Sequence, residues 1–193
     1  MTTANESNNL TKPVQMPLFD PIRPQYLIDT NCLIKPYNDY YNPAFTLSEA
    51  FWSRLKALVR EGTVGILDKV RDETYGGRNS DELDAWLDDI QEYVINSEDN
   101  PHIVDGFKQV IRVISAPDSG YRPQAIRDWA DIRIADPWLI GAASQFQSAI
   151  ITFEKPQNTY DRPWKHLKIP TVANMLNVHC VDLFTFMNTA GGF

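Results

Sequence analysis

The run Tyr26-Leu27-Ile28-Asp29-Thr30-Asn31-Cys32-Leu33-Ile34 constrains this chain more than any other stretch, because an acid and two short polar residues interrupt sequence that is apolar on both sides. Tyr26 to Ile28 follows Pro24 and suits a buried strand. Asp29-Thr30-Asn31 can then turn the chain, since short polar side chains bond back to their own backbone. A strand ending this way presents a carboxylate at its carboxyl end, where open parallel sheets gather their chemistry. An Asx turn that merely ends the strand explains a lone Asp equally well, so the meaning of Asp29 depends on what other segments bring to it.

Those segments can be read in order. Thr46-Leu47-Ser48-Glu49 has capping-box spacing and precedes an apolar stripe of Phe51, Leu55, Leu58 and Val59 that stops at Gly62, which predicts a helix. Val64 to Leu67 predicts a short strand, and Lys69 to Tyr75 a helix that Gly76-Gly77 breaks. Leu83, Trp86, Leu87, Ile90 and Val94 recur at helical spacing behind Ser80 and the acids Asp81, Glu82 and Asp84, the charge that a helix amino terminus favours. Asn100-Pro101 predicts the cap and first turn of another helix, with Ile103, Phe107, Val110 and Ile111 on its apolar face. After a loop over Pro117 to Pro123, a short helix is expected from Gln124 to Ala130. Asp136-Pro137 opens a further helix through Trp138, Leu139, Ala142, Ala143 and Phe146. Ala149 to Phe153 predicts a strand, Lys155 to Lys168 with its two prolines a long loop, Ile169 to Met175 a short helix, and Val178 to Val181 an edge strand. Short strands separated by helices predict an α/β fold, a three-layer α/β/α sandwich around a central, mostly parallel sheet.

A length of 193 residues fits one domain whose core needs no disulfide or metal to fold. Residues 1–24, with Pro13, Pro17 and Pro21 among polar neighbours, are expected to form a flexible leader in which Met16 to Phe19 can dock, and residues 25–193 the folded domain. That leader lacks the basic-then-apolar order of a secretory signal, and no apolar run is long enough to cross a bilayer. Cys32 and Cys180 read as small core residues of a reduced, cytoplasmic protein, and Cys32 would need a suitably placed base to act as a nucleophile. The formal charge of −7 argues against holding nucleic acid by bulk charge, because that affinity comes chiefly from Lys and Arg on phosphates. A local basic groove is still compatible with it, and clustered carboxylates could supply a counterion by binding a divalent metal.

Four acids stand where strands end or helices begin: Asp29, Glu73, Asp136 and Glu154. Each has a plain alternative. Asp136 before Pro137 would serve as an N-cap, Glu73 as a solvated helix residue with Asp72 beside it as a competitor, and Glu154 as a solvated loop residue. Taken together they converge, because parallel strands and the adjoining helix starts open onto one crevice. Carboxylates gathered there repel one another unless a cation sits among them. Mg²⁺ or Mn²⁺ uses few protein carboxylates and keeps positions for water and phosphate oxygens, which makes phosphodiester hydrolysis possible without histidine. His102, His166 and His179 are too dispersed for a metal site or triad and are given no catalytic role.

At this point the residues resemble a known family, the PIN-domain nucleases, which include the VapC-like toxins of bacterial toxin–antitoxin pairs. Asp29-Thr30-Asn31 with its flanking Leu27, Ile28, Leu33 and Ile34 resembles that family's opening motif. Ala135-Asp136-Pro137-Trp138-Leu139-Ile140 resembles its later Asp-initiated helix, and Ile150-Ile151-Thr152-Phe153-Glu154 the next strand, where many members carry Thr-x-Asp. Lys168-Ile169-Pro170-Thr171-Val172 is similar to a bacterial branch of it, and the likeness spans about Gln25 to Met187. The resemblance implies a metal-dependent endoribonuclease that cleaves single-stranded RNA with a metal-activated water. Asp29, Glu73 and Asp136 would hold Mg²⁺ or Mn²⁺, Glu154 would be an outer catalytic acid, and Thr30, Asn31 and Thr152 would orient these groups. It further implies a cognate antitoxin protein, a homodimer and no membrane partner. Arg71, Arg78, Arg133 and Lys155 are candidate phosphate contacts. Two rival readings remain: a non-catalytic PIN-like interaction module, and an aspartyl-nucleophile phosphatase, against which stands Asn31 where such enzymes use a second Asp.

Overall fold

The computed structural model describes residues 23–42, 45–46, 48–77, 81–190 and 193. The leader expected over residues 1–24 therefore lies outside the described residues except for Arg23 and Pro24, as do Leu47, Arg78 and Ser80. Four strands form one sheet: β1 (Tyr26–Ile28), β2 (Val64–Gly65), β3 (Ala149–Ile151) and β4 (Cys180–Val181), in the order β2-β1-β3-β4, every pair parallel. The predicted strands are all found. Nine α-helices among the described residues complete an α/β sandwich: α1 (Asn31–Lys35), α2 (Ser48–Arg60), α3 (Asp68–Thr74), α4 (Asp81–Asp88), α5 (Pro101–Ile114), α6 (Pro123–Trp129), α7 (Ala135–Phe146), α8 (Ile169–Met175) and α9 (Leu183–Ala190). None is long and apolar enough to cross a membrane.

The two central strands are apolar on both faces because helices cover both: Leu27, Ile28, Ile150 and Ile151 are fully buried. The predicted apolar stripes of α2 and α5 face this core, with Leu55, Ile103 and Val110 inaccessible to water. Asn100 caps α5 as expected, its Oδ1 accepting from the backbone of His102 at 3.0 Å and Ile103 at 3.4 Å. α5 and α7 cross at Gly106 and Gly141, where their backbones touch. A Cβ on Gly141 would lie 2.5 Å from the Phe107 nitrogen, so no larger residue fits without pushing the helices apart. That crossing helps to set the position of α7, whose first turn carries Asp136.

Three elements differ from expectation. The helix through Leu83 to Val94 stops at Asp88, and Val94 is extended, because Ile95 is taken up by the sheet edge: its N–H donates to the Ile66 carbonyl at 2.9 Å and its carbonyl accepts from Asp68 at 2.9 Å. Sheet pairing overrides helical periodicity there. The chain after Asp29 is helical rather than a simple turn, with α1 continuing into a π-helical stretch over Pro36–Tyr40. Finally, α9 was not anticipated from the sequence. Asp182 caps it by accepting from the Thr185 N–H at 2.8 Å, and its Leu183 and Phe186 are fully buried.

Candidate functional site

The parallel register of β1 and β3 brings Ile28 opposite Ile151, so the two chains leave the sheet at the same edge. The next residues, Asp29 and Thr152, meet there. The Asp29 N–H donates to the Ile151 carbonyl at 3.0 Å, and Thr152 Oγ1 donates to Asp29 Oδ2 at 2.7 Å. Asn31 Nδ2 also donates to Asp29 Oδ2, while Asn31 Oδ1 accepts the Phe153 N–H at 3.1 Å. One amide thus clamps the ends of both strands and the carboxylate between them. Asp29 is only 3% exposed. Burial dominates its titration and raises its pKa to about 6, with repulsion from Glu154 and Glu73 adding to the rise against the hydrogen bonds from Thr152 and Asn31.

α7 carries the second acid to the same crevice. Asp136 is not the N-cap that its sequence context allowed: Ile134 holds that position, and Asp136 is the second residue of the helix. The amino-terminal N–H of Ala135 is instead satisfied from another helix, by Glu73 Oε1 at 2.7 Å. Asp136 is partly buried, and among the described residues its carboxylate has no hydrogen-bond donor. Its pKa is pushed up to about 8 by burial first, then by Asp29, Glu154 and Glu73, with Lys168 opposing. A carboxyl perturbed this far, in a cleft with other acids, is a mark of sites that bind a cation or move a proton.

The remaining two acids are held differently. Asp72 and Glu73 are both exposed, and it is Glu73 that reaches the neighbouring elements: its Oε2 accepts from Thr30 Oγ1 at 2.9 Å, whereas Asp72 lies beside Arg71 at 3.7 Å. Glu154 accepts from Lys168 Nζ at 2.6 Å and from the Ile169 N–H at 2.8 Å, so it closes the amino terminus of α8. All four predicted acids and Thr30, Asn31 and Thr152 therefore fall at the carboxyl edge of the sheet, where hydrogen bonds join Asp29 to Thr152 and Asn31, and Glu73 to Thr30.

A family model described as "Domain of unknown function (DUF4411)" matches residues 26–192. The chain belongs to that family. The matched span opens on the first residue of β1 and takes in all four acids. Comparison with curated proteins and with solved structures gave no match.

In this DUF4411 chain a metal can be tested against the donor set. Among the described residues no three acids, histidines or cysteines stand close enough together to ligate one ion as a group. Two hard carboxylates, Asp29 and Asp136, nevertheless fit a hard divalent cation that keeps most of its water. Burial, more than the neighbouring acids, raises both pKa values. Glu73 and Glu154 spend their oxygens on backbone and side-chain donors, which suits them to positioning.

Of the cations considered from sequence, Arg71 pairs with Asp88 at 3.1 Å and lies over Tyr75, and Arg133 pairs with Asp131 at 2.5 Å. Lys155 alone of the described ones lines a groove near the site. Sequence reasoning missed Lys168, whose position three residues before Thr171 gave no sign that it would reach back to Glu154. Cys32 is buried, its thiol held well above the usual range by burial and by Asp29, and it is no nucleophile.

Proposed function

We propose that this chain is a metal-dependent endoribonuclease of the PIN type, acting on single-stranded RNA. The observation that supports the reading is the meeting of acids at the carboxyl edge of parallel strands, with Asp29 buried at the ends of β1 and β3 beside Thr152, and Asp136 lining one cavity with Glu154, two residues beyond Thr152. Asp29 and Asp136 would hold Mg²⁺ or Mn²⁺. Such an ion, when bound, neutralises the scissile phosphate and lowers the pKa of the attacking water.

The chain's own groups divide the remaining work. Thr152 and Asn31 fix the Asp29 carboxylate in one orientation. Glu73 ties α1 to the start of α7 through Thr30 and Ala135, which sets the separation of the two aspartates. Glu154 anchors the 155–168 loop to the same edge through Lys168 and Ile169. Asn31 is committed to Asp29 and to the Phe153 backbone, which leaves no acid two residues after Asp29 and disfavours the aspartyl-phosphatase reading.

The toxin role, a cognate antitoxin that covers the crevice with a basic or apolar segment, a homodimer and a cytoplasmic location belong to the same proposal and rest on the resemblance. A non-catalytic module is the second reading, favoured by the exposed rings of Tyr40 and Phe184 packed with Phe153 beside the crevice. The deciding experiment incubates a mixed single-stranded RNA pool with wild-type protein and with the Asp29→Asn/Asp136→Asn variant, with Mn²⁺ or Mg²⁺ and with chelator. The proposal expects metal-dependent cutting by wild type alone. Cutting that persists in the variant or in chelator would refute it, and no cutting at all would favour the module.

A further inference from the structure

A basic groove adjoins the acid crevice in a chain that is acidic overall. Between Lys155 and Lys168 the sequence carries Lys155, Arg162, Lys165 and Lys168 against a single acid, Asp161. Arg122 joins them from the loop before α6. Together with Pro163 and Trp164, Arg122, Lys155, Lys165 and Lys168 line a groove of about 420 Å³. Lys165, His166 and Lys168 also line a neighbouring cavity of about 290 Å³ whose other walls include Asp136 and Glu154. Lys165, His166 and Lys168 stand between the two spaces, so the basic groove borders the cavity that Asp136 and Glu154 line.

The groove is built and held open by its own hydrogen bonds. The Trp164 N–H donates to the Gly120 carbonyl at 2.9 Å, the Arg122 N–H to the Trp164 carbonyl at 3.0 Å, and Arg122 Nε to the Pro163 carbonyl at 3.1 Å. Inside the loop, Trp164 Nε1 donates to the Asn158 carbonyl at 2.8 Å, and Gln157 Nε2 to the His166 carbonyl at 2.5 Å. The Trp164 ring is buried under the Arg162 guanidinium. Among the described residues Lys155, Lys165 and Arg122 make no ion pair, and the acids that face them are Asp161 in the groove wall and Asp182 near Lys155.

The plain reading is a loop kept soluble by its charges. Against it, like charges in one groove repel unless an anion lies among them, and the chain as a whole has acids to spare for pairing. One further side chain selects the kind of anion. Tyr160, on the turn between the groove residues Asn158 and Asp161, is 93% exposed, with its N–H fixed by Asn158 Oδ1 at 3.1 Å. A basic track edged by an exposed aromatic ring is the combination that holds a single strand, with phosphates on the cations and a base on the ring.

We infer that the groove formed by the 155–168 loop and Arg122 binds the backbone of single-stranded nucleic acid and leads it toward the cavity of Asp136 and Glu154, with Tyr160 stacking a base. This inference deepens the nuclease reading and rests on it for its second half, but binding can be measured without cutting.

The test is fluorescence anisotropy of a labelled single-stranded 12-mer RNA in chelator, from 50 to 200 mM salt. Wild-type protein, Arg122→Ala/Lys155→Ala/Lys165→Ala, Tyr160→Ala and the control Lys108→Ala/Arg112→Ala on α5 are compared, each checked for an unchanged melting temperature. Lys168 is left intact because it pairs with Glu154. The triple variant is expected to flatten the slope of log K against log salt by about 2, the loss of three phosphates at roughly 0.7 each. Tyr160→Ala is expected to bind about tenfold more weakly with the slope unchanged. Equal losses in the α5 control, an unchanged triple variant, or displacement by an acidic peptide of equal charge with no effect of Tyr160→Ala would each overturn the inference. Wild-type cleavage that persists in a triple variant of unchanged affinity refutes the groove alone. Salt-dependent groove binding without metal-dependent cleavage by wild type refutes the nuclease reading alone.

Discussion

The floor and the flanks of the crevice hold the same chemical group in opposite states. On the flanks, Glu73 accepts from Thr30 and the first N–H of α7, and Glu154 from Lys168 and the first turn of α8. Each spends its charge where a helix terminus supplies donors, and each is a stable arrangement without further help. On the floor, Asp29 has two side-chain donors that do not offset its burial, and Asp136 has none among the described residues. The contrast separates carboxylates that serve the fold from carboxylates that the fold tolerates. A protein keeps the second kind at a cost, which the cation of the proposed function would relieve.

The largest effect expected from this contrast is on catalysis. Asp29→Asn and Asp136→Asn should each reduce metal-dependent RNA cleavage to background while leaving the protein folded, as checked by single-turnover cleavage beside a thermal melt. Retained activity in either would move the metal to the flanks. Next in size, Thr152→Val and Asn31→Ala should lower cleavage about 10- to 100-fold, the usual range for groups that orient a ligand. Their signature would be weaker Mn²⁺ dependence, recoverable at high metal, which a purely structural role would not show.

The floor also predicts a direction for stability against pH. Both aspartyl pKa values are raised on folding, to about 6 and about 8, from an unfolded value of roughly 3.9. In that window the folded state binds more protons than the unfolded one, so the metal-free protein loses stability as pH rises from about 4 to about 8. The effect is on the order of a few kcal/mol. Asp131, Asp89 and Asp182, whose pKa values are lowered, act in the other direction but lose their contribution only as pH falls below about 4. Melting temperature in chelator should therefore fall between pH 5 and pH 8, and Asp136→Asn should flatten the decline. A rise over that interval in wild type would show that the aspartates are not strained.

The smallest effect belongs to the flanks. Glu73→Gln and Glu154→Gln keep an acceptor for Ala135 and Ile169 and should cost about 1 kcal/mol or less, since these groups are partly solvated. Glu73→Ala should cost more than Glu73→Gln, because the α7 terminus then loses its acceptor. Equal costs for the two would remove Glu73 from the capping role.

The fold was largely legible because its signals are local. Asn100-Pro101 caps α5, the alternation of short strands and helices gives a parallel sheet, and Asp29 falls at a strand end, though a helix and not a simple turn follows it. What escaped was decided at a distance. Val94 continues a helical period but leaves the helix because Ile95 pairs with Ile66. Glu73 caps a helix that begins 62 residues later, and no local pattern records such a bond. The choice between Glu73 and Asp72 likewise needed the direction of α3. In the site, residue types at strand ends were readable, whereas the division between strained and satisfied acids was not, since it depends on which donors the folded chain brings near. α9 was a different case. Asp182 and Thr185 form a local cap, and the sequence Asp-Leu-Phe-Thr carries it without any distant partner.

The most direct test of the central claim is calorimetric titration of Mn²⁺ into metal-free wild-type protein and into Asp29→Asn/Asp136→Asn at pH 7. The account predicts that wild type binds the ion with release of protons, because the raised aspartyl groups are partly protonated beforehand, and that the double variant binds none. Equal binding by the two proteins, or no binding by wild type, would contradict it.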